Sequence, residues 1–259
     1  MNVSFDRIDR LSSDRTNWCV VVKVVKTWAA FEADGLEYFN FLLIDPEISL
    51  ILKEWKCIRN FTVVVDESER RLTRIRNKIF LIGRTEVTRA VDPRVYQPMD
   101  LVTFEDVVHR TTEMGETYPV DFIGRINYVK NLNVLIDNSL RRADGNTSAK
   151  IISYIDFRLY DNQDHQIMCR VKGELADIFY DRWLNDGDMD YVCCLYNWRI
   201  TPQHPRINVE SVREISSFEI NPPWNLNRDA DRFCQETWRI QDEAMSEDDG
   251  SSRSDELFQ

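Results

Sequence analysis

The apolar positions of residues 17–28, NWCVVVKVVKTW, follow the two-residue repeat of an extended chain. Valine is β-branched and stiff at its first side-chain torsion, so this run favours a strand over a helix. Counting by twos places Trp18, Val20 and Val22 on one face and Cys19, Val21 and Lys23 on the other. Because both faces begin apolar, we predict a long, bent strand that is covered on both sides, as in a small barrel.

Short apolar runs separated by charged turns continue this pattern. They predict strands over residues 36–45, 60–66 and 74–83, and the spacing of Ile48, Ile51, Leu52 and Trp55 predicts a helix over 47–55. Two prolines in RAVDPRVYQPMD indicate a linker, and TFEDVV predicts a short helical turn capped by Thr103.

The plan then recurs as three strands, a helix and two strands. The predicted elements are a strand over 118–132, a hairpin over 149–173, a helix over 174–186 and strands over 189–200 and 205–212. This order is that of an OB-fold, a five-stranded Greek-key barrel with a helix between its third and fourth strands. We therefore predict an all-β protein with minor helices, built from two tandem OB-fold units of which the first is shortened.

The predicted domain boundaries follow from these elements. They are a first unit at 1–90, a linker with a short helix at 91–117, a second unit at 118–222 and an acidic, mostly disordered tail at 223–259. Net charge is −11, yet residues 229–259 hold ten Asp or Glu and three Arg, so the body is nearly neutral. The tail is interpreted either as a solubilising extension or as a mimic of nucleic acid that covers basic residues.

Several function classes find little support in the residues. The six cysteines lie in apolar segments without a C-x-x-C pair, which favours reduced thiols over a zinc site. We find no apolar run long enough to span a membrane and no signal peptide, and we expect a soluble, intracellular protein. Three scattered histidines and no recognisable catalytic motif predict that the protein is not an enzyme and uses no cofactor, metal or small-molecule substrate.

Ordered motifs across residues 4–222 resemble one family. FDRIDRLSSDRTNWCVVVKVVKTW, NFTVVVD, LVTFEDVV, VDFIGRI and EISSFEINP are similar to the large DNA-binding subunit of replication protein A in its plant-expanded form. The resemblance implies a nuclear, heteromeric protein that binds single-stranded DNA through tandem OB-folds, in replication, repair or recombination. Other replication protein A subunits are the implied protein partners, and RNA remains an alternative ligand.

The chain also departs from that family. A strand bearing a stacking aromatic would precede the first helix, but residues 36–55 pass from strand to helix directly. In the second unit Val171 or Lys172 stands where the family has a stacking tryptophan, and only His204 could supply the second ring. Each lost base stack costs about 1–3 kcal/mol, so the expected binding is mainly electrostatic.

The strongest basic motif is RRLTRIRNK, residues 70–78. Strand parity groups Arg70, Arg74, Arg76 and Lys78 on one face, at a spacing that could follow a phosphate backbone. The alternative is the solvated outer face of an edge strand, where cations discourage aggregation.

A second basic group lies in the predicted second barrel. Arg170 and Lys172 share a strand face, and Cys169 and Val171 are predicted to point inward. Arg141 and Arg142 lie in a predicted loop over 137–148, which could clamp DNA or be an uninvolved insertion. The full predicted DNA-binding set is Lys23, Lys26, Trp28, Arg70, Arg74, Arg76, Lys78, Arg141, Arg142, Arg158, Arg170, Lys172, Trp198 and Arg206. The competing hypothesis is a degenerate OB-fold that serves as a protein-interaction scaffold.

Overall fold

The fold is described from a computed structural model of the chain. The described residues are 5–31, 37–44, 55–68, 71–90, 99–109, 117–141, 147–185, 191–202, 204–213, 215–222, 229–237 and 239. None of the described helices is long and apolar enough to cross a membrane.

The first unit is organised around a long central strand, β1. Antiparallel pairing gives a four-stranded sheet in the order β2-β1-β3-β6, while β4 and β5 form a separate antiparallel ladder. The strands are β1 (Cys19–Phe31), β2 (Glu37–Ile44), β3 (Trp55–Arg59), β4 (Thr62–Val65), β5 (Asn77–Phe80) and β6 (Glu86–Arg89).

Both faces of the first half of β1 are covered, which confirms that part of the sequence prediction. Trp18, Val20 and Val22 pack with Phe61 and Val63 in one core cluster. On the opposite face, Val21 packs with Trp55 and Cys57 in a second, smaller cluster. The alternation of valines thus supplies two apolar layers from one strand.

The second unit contains a closed five-stranded barrel. Around the barrel the strands pair in the order β7-β9-β10-β12-β11 and back to β7, and only β10 and β12 run parallel. This is the strand order of an OB-fold. Its elements are β7 (Val120–Val129), β8 (Asn133–Arg141), β9 (Thr147–Tyr160), β10 (Gln166–Lys172), α2 (Glu174–Asn185), β11 (Tyr191–Ile200), β12 (Val209–Ser211) and β13 (Ser217–Ile220).

Alternation along the barrel strands builds the second core. Ile155, Phe157 and Leu159 of β9 are fully buried, as are Cys169 and Val171 of β10, which confirms their predicted inward orientation. The ring of Phe157 stacks on Phe179 of α2 with centroids 4.6 Å apart. Helix α2 therefore packs against the interior of the barrel.

A short helix, α1 (Phe104–His109), packs against the second barrel. Thr103 caps it as predicted, since its hydroxyl accepts the Asp106 amide at 3.1 Å and donates to the Asp106 carboxylate at 2.7 Å. The Phe104 ring lies so close to Gly124 that a Cβ there would meet Phe104 Cζ and the Tyr160 carbonyl oxygen, each at 2.9 Å. Only glycine permits this approach of helix and strand.

Several predicted elements differ from the structure or lie partly outside the described residues. The strand predicted over 74–83 is confirmed only at β5, because residues 72–75 bend. The loop predicted over 137–148 is wrong in its first part, since β8 extends to Arg141 and pairs with β9 in a hairpin. Of the helix predicted over 47–55, Trp55 begins β3, and residues 47–54 lie outside the described residues. The tail predicted as mostly disordered over 223–259 is helical at residues 229–237, where Ala230, Phe233 and Cys234 pack with Ile123 and Val192 of the second barrel. The proposed missing strand of the first unit and the tail residues from 240 onward lie outside the described residues.

Candidate nucleic-acid interface

The outer face of β9 carries the side chains that the barrel interior excludes. Tyr154, Asp156, Arg158 and Tyr160 alternate with the buried residues of that strand and point away from the core. The register brings Tyr128 of β7 opposite Arg158. One continuous face across β7, β9 and β10 thus combines tyrosines with basic residues.

Three arginine–tyrosine pairs organise this face. The Arg125 guanidinium carbon lies 4.5 Å from the ring centroid of Tyr160. The corresponding distances are 4.5 Å between Arg170 and Tyr154 and 5.7 Å between Arg158 and Tyr128. All three lie within the range of cation–π attraction, so each guanidinium is held beside an aromatic ring.

Asp156 anchors the centre of the face. Arg170 Nε and Nη2 donate to its two carboxylate oxygens at 2.6 and 3.1 Å, and Lys130 Nζ donates at 3.2 Å. Burial opposes ionisation of the carboxyl, but the hydrogen bonds and charges of Arg170 and Lys130 outweigh it, so the pKa of Asp156 lies below its ordinary value. The ionised carboxylate therefore fixes two cations and neutralises part of their charge.

Lys172 and Arg158 each donate one described side-chain hydrogen bond on this face. Lys172 Nζ donates to Glu210 of β12 at 2.9 Å, and Arg158 Nη1 donates to the Gln166 amide oxygen at 3.2 Å. The face consequently carries five cations and two carboxylates; the cations are Arg125, Lys130, Arg158, Arg170 and Lys172, and the carboxylates are Asp156 and Glu210. The face stays positive, and in the described contacts Arg125 and Arg158 are paired with uncharged groups rather than with carboxylates.

The predicted residues Arg158, Arg170 and Lys172 therefore do lie together on one face. Arg206 is exposed in the loop before β12. In that loop His204 Nδ1 accepts the amides of Arg206 and Ile207 at 3.1 and 2.9 Å, so its ring is held as a loop brace. This geometry does not favour the base-stacking role considered for His204.

Trp198 was wrongly predicted as a DNA-binding residue. Its exposure is 0%, its Nε1 donates to the Ser217 carbonyl oxygen at 2.9 Å, and its ring meets Phe157 edge-on with centroids 5.8 Å apart. A side chain enclosed in this way cannot stack on a base. The reason is the bulge at Asn197, whose φ of 59° turns the next side chain into the core.

Lys23 was also wrongly placed at a binding groove. It lies in β1 between Ile44 of β2 and Trp55 of β3 and is 2% exposed. Trp28 is half-buried. The side chains of Lys26 and Arg141 fall outside the described part of the structure, as do residues Arg70 and Arg142, so their predicted roles stay predictions.

The basic stripe around β5 keeps its predicted parity where it is described. Arg74, Arg76 and Lys78 are exposed, whereas Thr73, Ile75 and Ile79 are half-buried between them. Arg74 has a side-chain exposure of 70% and lies 3.8 Å from Asp100, and Lys78 Nζ lies 3.0 Å from Asp66. The Arg74–Asp100 pair is exposed and therefore weak, whereas the Asp66 side chain of the second pair is only 10% exposed.

Arg71 of the same basic run has a different role. Its amide donates to the Thr117 carbonyl oxygen at 2.9 Å, and its own carbonyl oxygen accepts Arg199 Nη2 at 2.8 Å. Its guanidinium also lies over the Tyr118 ring at 5.6 Å. Arg71 thus joins the two units where they meet.

Sequence reasoning missed the aromatic part of the site. Tyr128, Tyr154 and Tyr160 were not chosen. The same two-residue parity that groups Arg170 with Lys172 on β10 would have placed Tyr154, Arg158 and Tyr160 together on β9. In the first unit, Phe39 and Phe41 of β2 are exposed aromatic rings that were also not chosen. Arg125 and Lys130 are likewise absent from the predicted DNA-binding set.

The chemistry of the described residues offers no metal site. Within the residues described, no group of three or more His, Cys, Asp or Glu side chains could hold a metal ion. All six cysteines are free, and five are buried, with Cys19 half-buried. Burial raises the pKa of the Cys169 and Cys193 thiols well above the ordinary value, so both stay protonated.

Comparison with solved structures agrees with the strand order. The chain matches a replication protein A heterotrimer bound to single-stranded DNA with a TM-score of 0.57 and 15% identity, covering 93% of this chain and 56% of the other. It thus spans a little over half the length of that chain. At this identity the match shows the fold, and the chain is an OB-fold protein.

Weaker matches carry no further argument. One is fission yeast Pot1 with single-stranded DNA, at a TM-score of 0.31 and 11% identity over 89% of this chain and 94% of the other. Another is a murine DNA-binding protein with double-stranded DNA, at a TM-score of 0.32 and 12% identity over 78% and 94% of the two chains. No protein-family model matches the chain, and no curated protein matches it.

Proposed function

We propose that this protein binds single-stranded DNA, without sequence preference, on the outer face of β7, β9 and β10. The observation that carries the proposal is the set of three arginine–tyrosine pairs on this face. Tyrosine rings offer flat surfaces for base stacking, while guanidinium groups contact phosphate and stack on bases. The replication protein A heterotrimer to which this chain is similar is bound to single-stranded DNA, which supports the choice of ligand.

The charge balance of the face predicts modest affinity. Asp156 and Glu210 already occupy Arg170, Lys130 and Lys172, so a phosphate must compete with a bound carboxylate. Each phosphate contact to single-stranded DNA contributes a slope of about −0.7 to the dependence of log K on log salt. We expect binding that is measurable at low salt and falls steeply as salt is added.

The biological role follows from the family resemblance. The protein acts as a non-enzymatic, replication-protein-A-like factor in replication, repair or recombination, located in the nucleus and assembled with other replication protein A subunits. The ordered motifs from residue 4 to 222 and the match over 93% of the chain support this role. Its plant-expanded character rests on the motifs alone.

A fluorescence titration with labelled oligo-dT across a salt series tests the proposal. The wild-type chain should bind in the micromolar range at low salt, and Arg158→Ala combined with Tyr128→Ala should weaken binding at least five-fold, since a lost base stack costs about 1–3 kcal/mol. Arg182→Ala on α2 is the matched control, because it removes a cation that lies over Phe218 and not on the face. Absence of salt-sensitive binding at tens of micromolar would disprove the proposed function.

A second candidate is a protein-interaction scaffold. It is favoured by exposed apolar side chains on the two hairpins, with Phe39 60% exposed on β2 and Val134, Ile136 and Ile151 similarly exposed on β8 and β9. Charge reversal of Arg158 on the proposed face, with Arg74→Glu as a comparison outside it, distinguishes the candidates. A scaffold would retain its protein partner in a pull-down and show no oligo-dT binding in the unmodified chain.

A further inference from the structure

Two cysteines of the first unit lie close enough to react with each other. Cys19 of β1 and Cys57 of β3 occupy the same face of the sheet as diagonal neighbours, two residue pairs apart along the ladder, and their Sγ atoms are 3.7 Å apart. A disulfide requires a separation of about 2.05 Å. Because diagonal neighbours across a ladder are more widely spaced than directly opposite residues, closing the remaining distance requires rotation about both Cα–Cβ bonds and a movement of β1 and β3 toward each other.

The surroundings of the pair differ from those of the other cysteines. Cys19 is half-buried, so a small oxidant reaches it, and Arg59 Nε donates to its sulfur at 3.3 Å. Cys169 and Cys193 are enclosed in the second barrel without solvent access. Reactivity of thiols follows access and nearby positive charge, and Cys19 has both.

We propose that Cys19 and Cys57 form a reversible oxidation site, which a low-molecular-weight disulfide such as oxidised glutathione converts to a cross-strand disulfide. The Cys19 thiolate attacks one sulfur of glutathione disulfide, which forms a mixed disulfide and releases one glutathione thiolate. The Cys57 thiolate then attacks Cys19 sulfur and releases the second. Two electrons pass from the cysteines to the glutathione disulfide, and the two protons lost by the cysteines are taken up by the two glutathione thiols.

Charged groups from three elements surround the site. Burial raises the pKa of the Cys19 thiol, and the Arg59 hydrogen bond on β3 partly offsets this rise. Asp6 accepts the Cys19 amide at 3.0 Å from the segment before β1, and Glu86 of β6 pairs with Arg59 in the sheet register. The first exchange step should therefore accelerate as pH rises from 7 to 9, because the thiolate fraction increases.

The cross-link would act on the less complete unit of the fold. It would tie β1 to β3 and close the segment that contains β2, which restricts the unfolded chain and stabilises the folded one. For a closed segment of this length, we expect the melting temperature of the first unit to rise by roughly 10 °C. The disulfide would therefore make the stability of that unit depend on the redox state.

Incubating the intact chain with oxidised glutathione at pH 8, followed by alkylation and peptide mapping, tests the proposal. We expect the mass of two hydrogen atoms to be lost, one linked peptide pair containing Cys19 and Cys57, and full reversal by a dithiol reductant. Cys19→Ser and Cys57→Ser should each abolish the link, whereas Cys234→Ser should leave it unchanged. Arg59→Gln should slow its formation several-fold, because the cation beside the Cys19 sulfur is removed.

The result can contradict the proposal in three ways. The chain could stay fully reduced after prolonged incubation, it could accumulate only a mixed disulfide on Cys19, or it could link other cysteines. Each of these outcomes would overturn the assignment. Because peptide mapping is performed on the unmodified chain, the conclusion stands even if a serine variant fails to fold.

Discussion

The two units of this protein share one short sequence motif, but the strand pairing around it differs between them. Cys57-Ile58-Arg59-Asn60-Phe61 and Cys194-Leu195-Tyr196-Asn197-Trp198 each end in an asparagine with positive φ, 57° and 59°, followed by a fully buried aromatic residue. Among the described residues, however, the main buried cluster of the first unit holds seven side chains and that of the second holds twenty-one. Ladder pairing closes the second barrel through β10, whereas β4 and β5 pair only with each other in the described part of the first.

The shared motif therefore determines neither the size of the core nor the candidate binding face. A short motif is enough to place an asparagine at positive φ and insert an aromatic side chain, but a large core requires the pairing of β9, β10 and β12. The same pairing presents arginines and tyrosines on one outer face. We therefore expect the second unit to dominate both stability and DNA binding.

The largest expected effect is on the second core. Trp198→Ala should lower the free energy of unfolding by about 3–5 kcal/mol, because it removes the largest fully buried side chain, its contact with Phe157 and its hydrogen bond to Ser217. Trp18→Ala should cost less, since Trp18 belongs to the smaller cluster. Urea unfolding monitored by circular dichroism measures both. Equal losses for the two variants would show that the cores do not differ in strength.

The next effect concerns binding. Arg158→Ala with Tyr128→Ala should weaken oligo-dT binding by about 1–3 kcal/mol, mostly through the lost stacking surface. Arg74→Glu with Arg76→Glu should instead change mainly the salt slope, by about 1.4 if each arginine contacts one phosphate. Titrations at several salt concentrations separate these effects. A larger loss from the β5 stripe would move the principal interface to the first unit.

Substitutions of Asn60 and Asn197 compare the two positions of positive φ in the two units. Asn60→Ala and Asn197→Ala should each cost about 1–2 kcal/mol, because a residue with a Cβ other than asparagine is strained at positive φ. Asn→Gly at either position should be nearly neutral, since glycine adopts this conformation readily. Denaturant midpoints provide the measurement. Tolerance of alanine at Asn60 but not at Asn197 would mean that the backbone at Asn60 relaxes.

The smallest effect is a pH dependence of the second unit. Burial raises the pKa of Asp121 to about 6, although its carboxylate accepts the amides of Asn197 and Asp100 at 2.8 and 2.9 Å. Because this folded pKa exceeds the unfolded one of about 3.9, the folded state binds the extra proton, and lowering pH from 7 to 5 should stabilise the protein by about 1 kcal/mol.

Asp121→Asn is the control for that pH dependence. The amide does not titrate, so the melting temperature of this variant should change less between pH 7 and 5 than that of the unmodified chain. A wild-type melting temperature that stays level or falls over this pH interval would contradict the assignment to Asp121.

Much of the fold could be predicted from local patterns. The alternation of β1, the hairpin of β9 and β10, the helix α2 and the cap at Thr103 all depend on residues close in sequence, and the structure confirms them. The order of these elements was enough to predict the OB-fold, because few barrel topologies accommodate three strands, a helix and two strands.

The candidate site was predicted less well. Parity correctly placed Arg170 and Lys172 on one face, but it could not show that Asp156 and Glu210 would neutralise them, since these pairs form across strands. The contact of Tyr128 with Arg158 could not be predicted either, because these residues meet only through the register of β7 and β9.

The sequence by itself determined the strand periodicity and which residues share a face, because these follow from side-chain branching and local backbone preference. Only the tertiary structure decided that Trp198 and Lys23 are buried, and it alone brought Cys19 within 3.7 Å of Cys57. Burial and cross-strand contact depend on which segments meet after the chain closes. A linear pattern specifies the face of a residue, whereas the packed neighbours determine whether that face meets solvent.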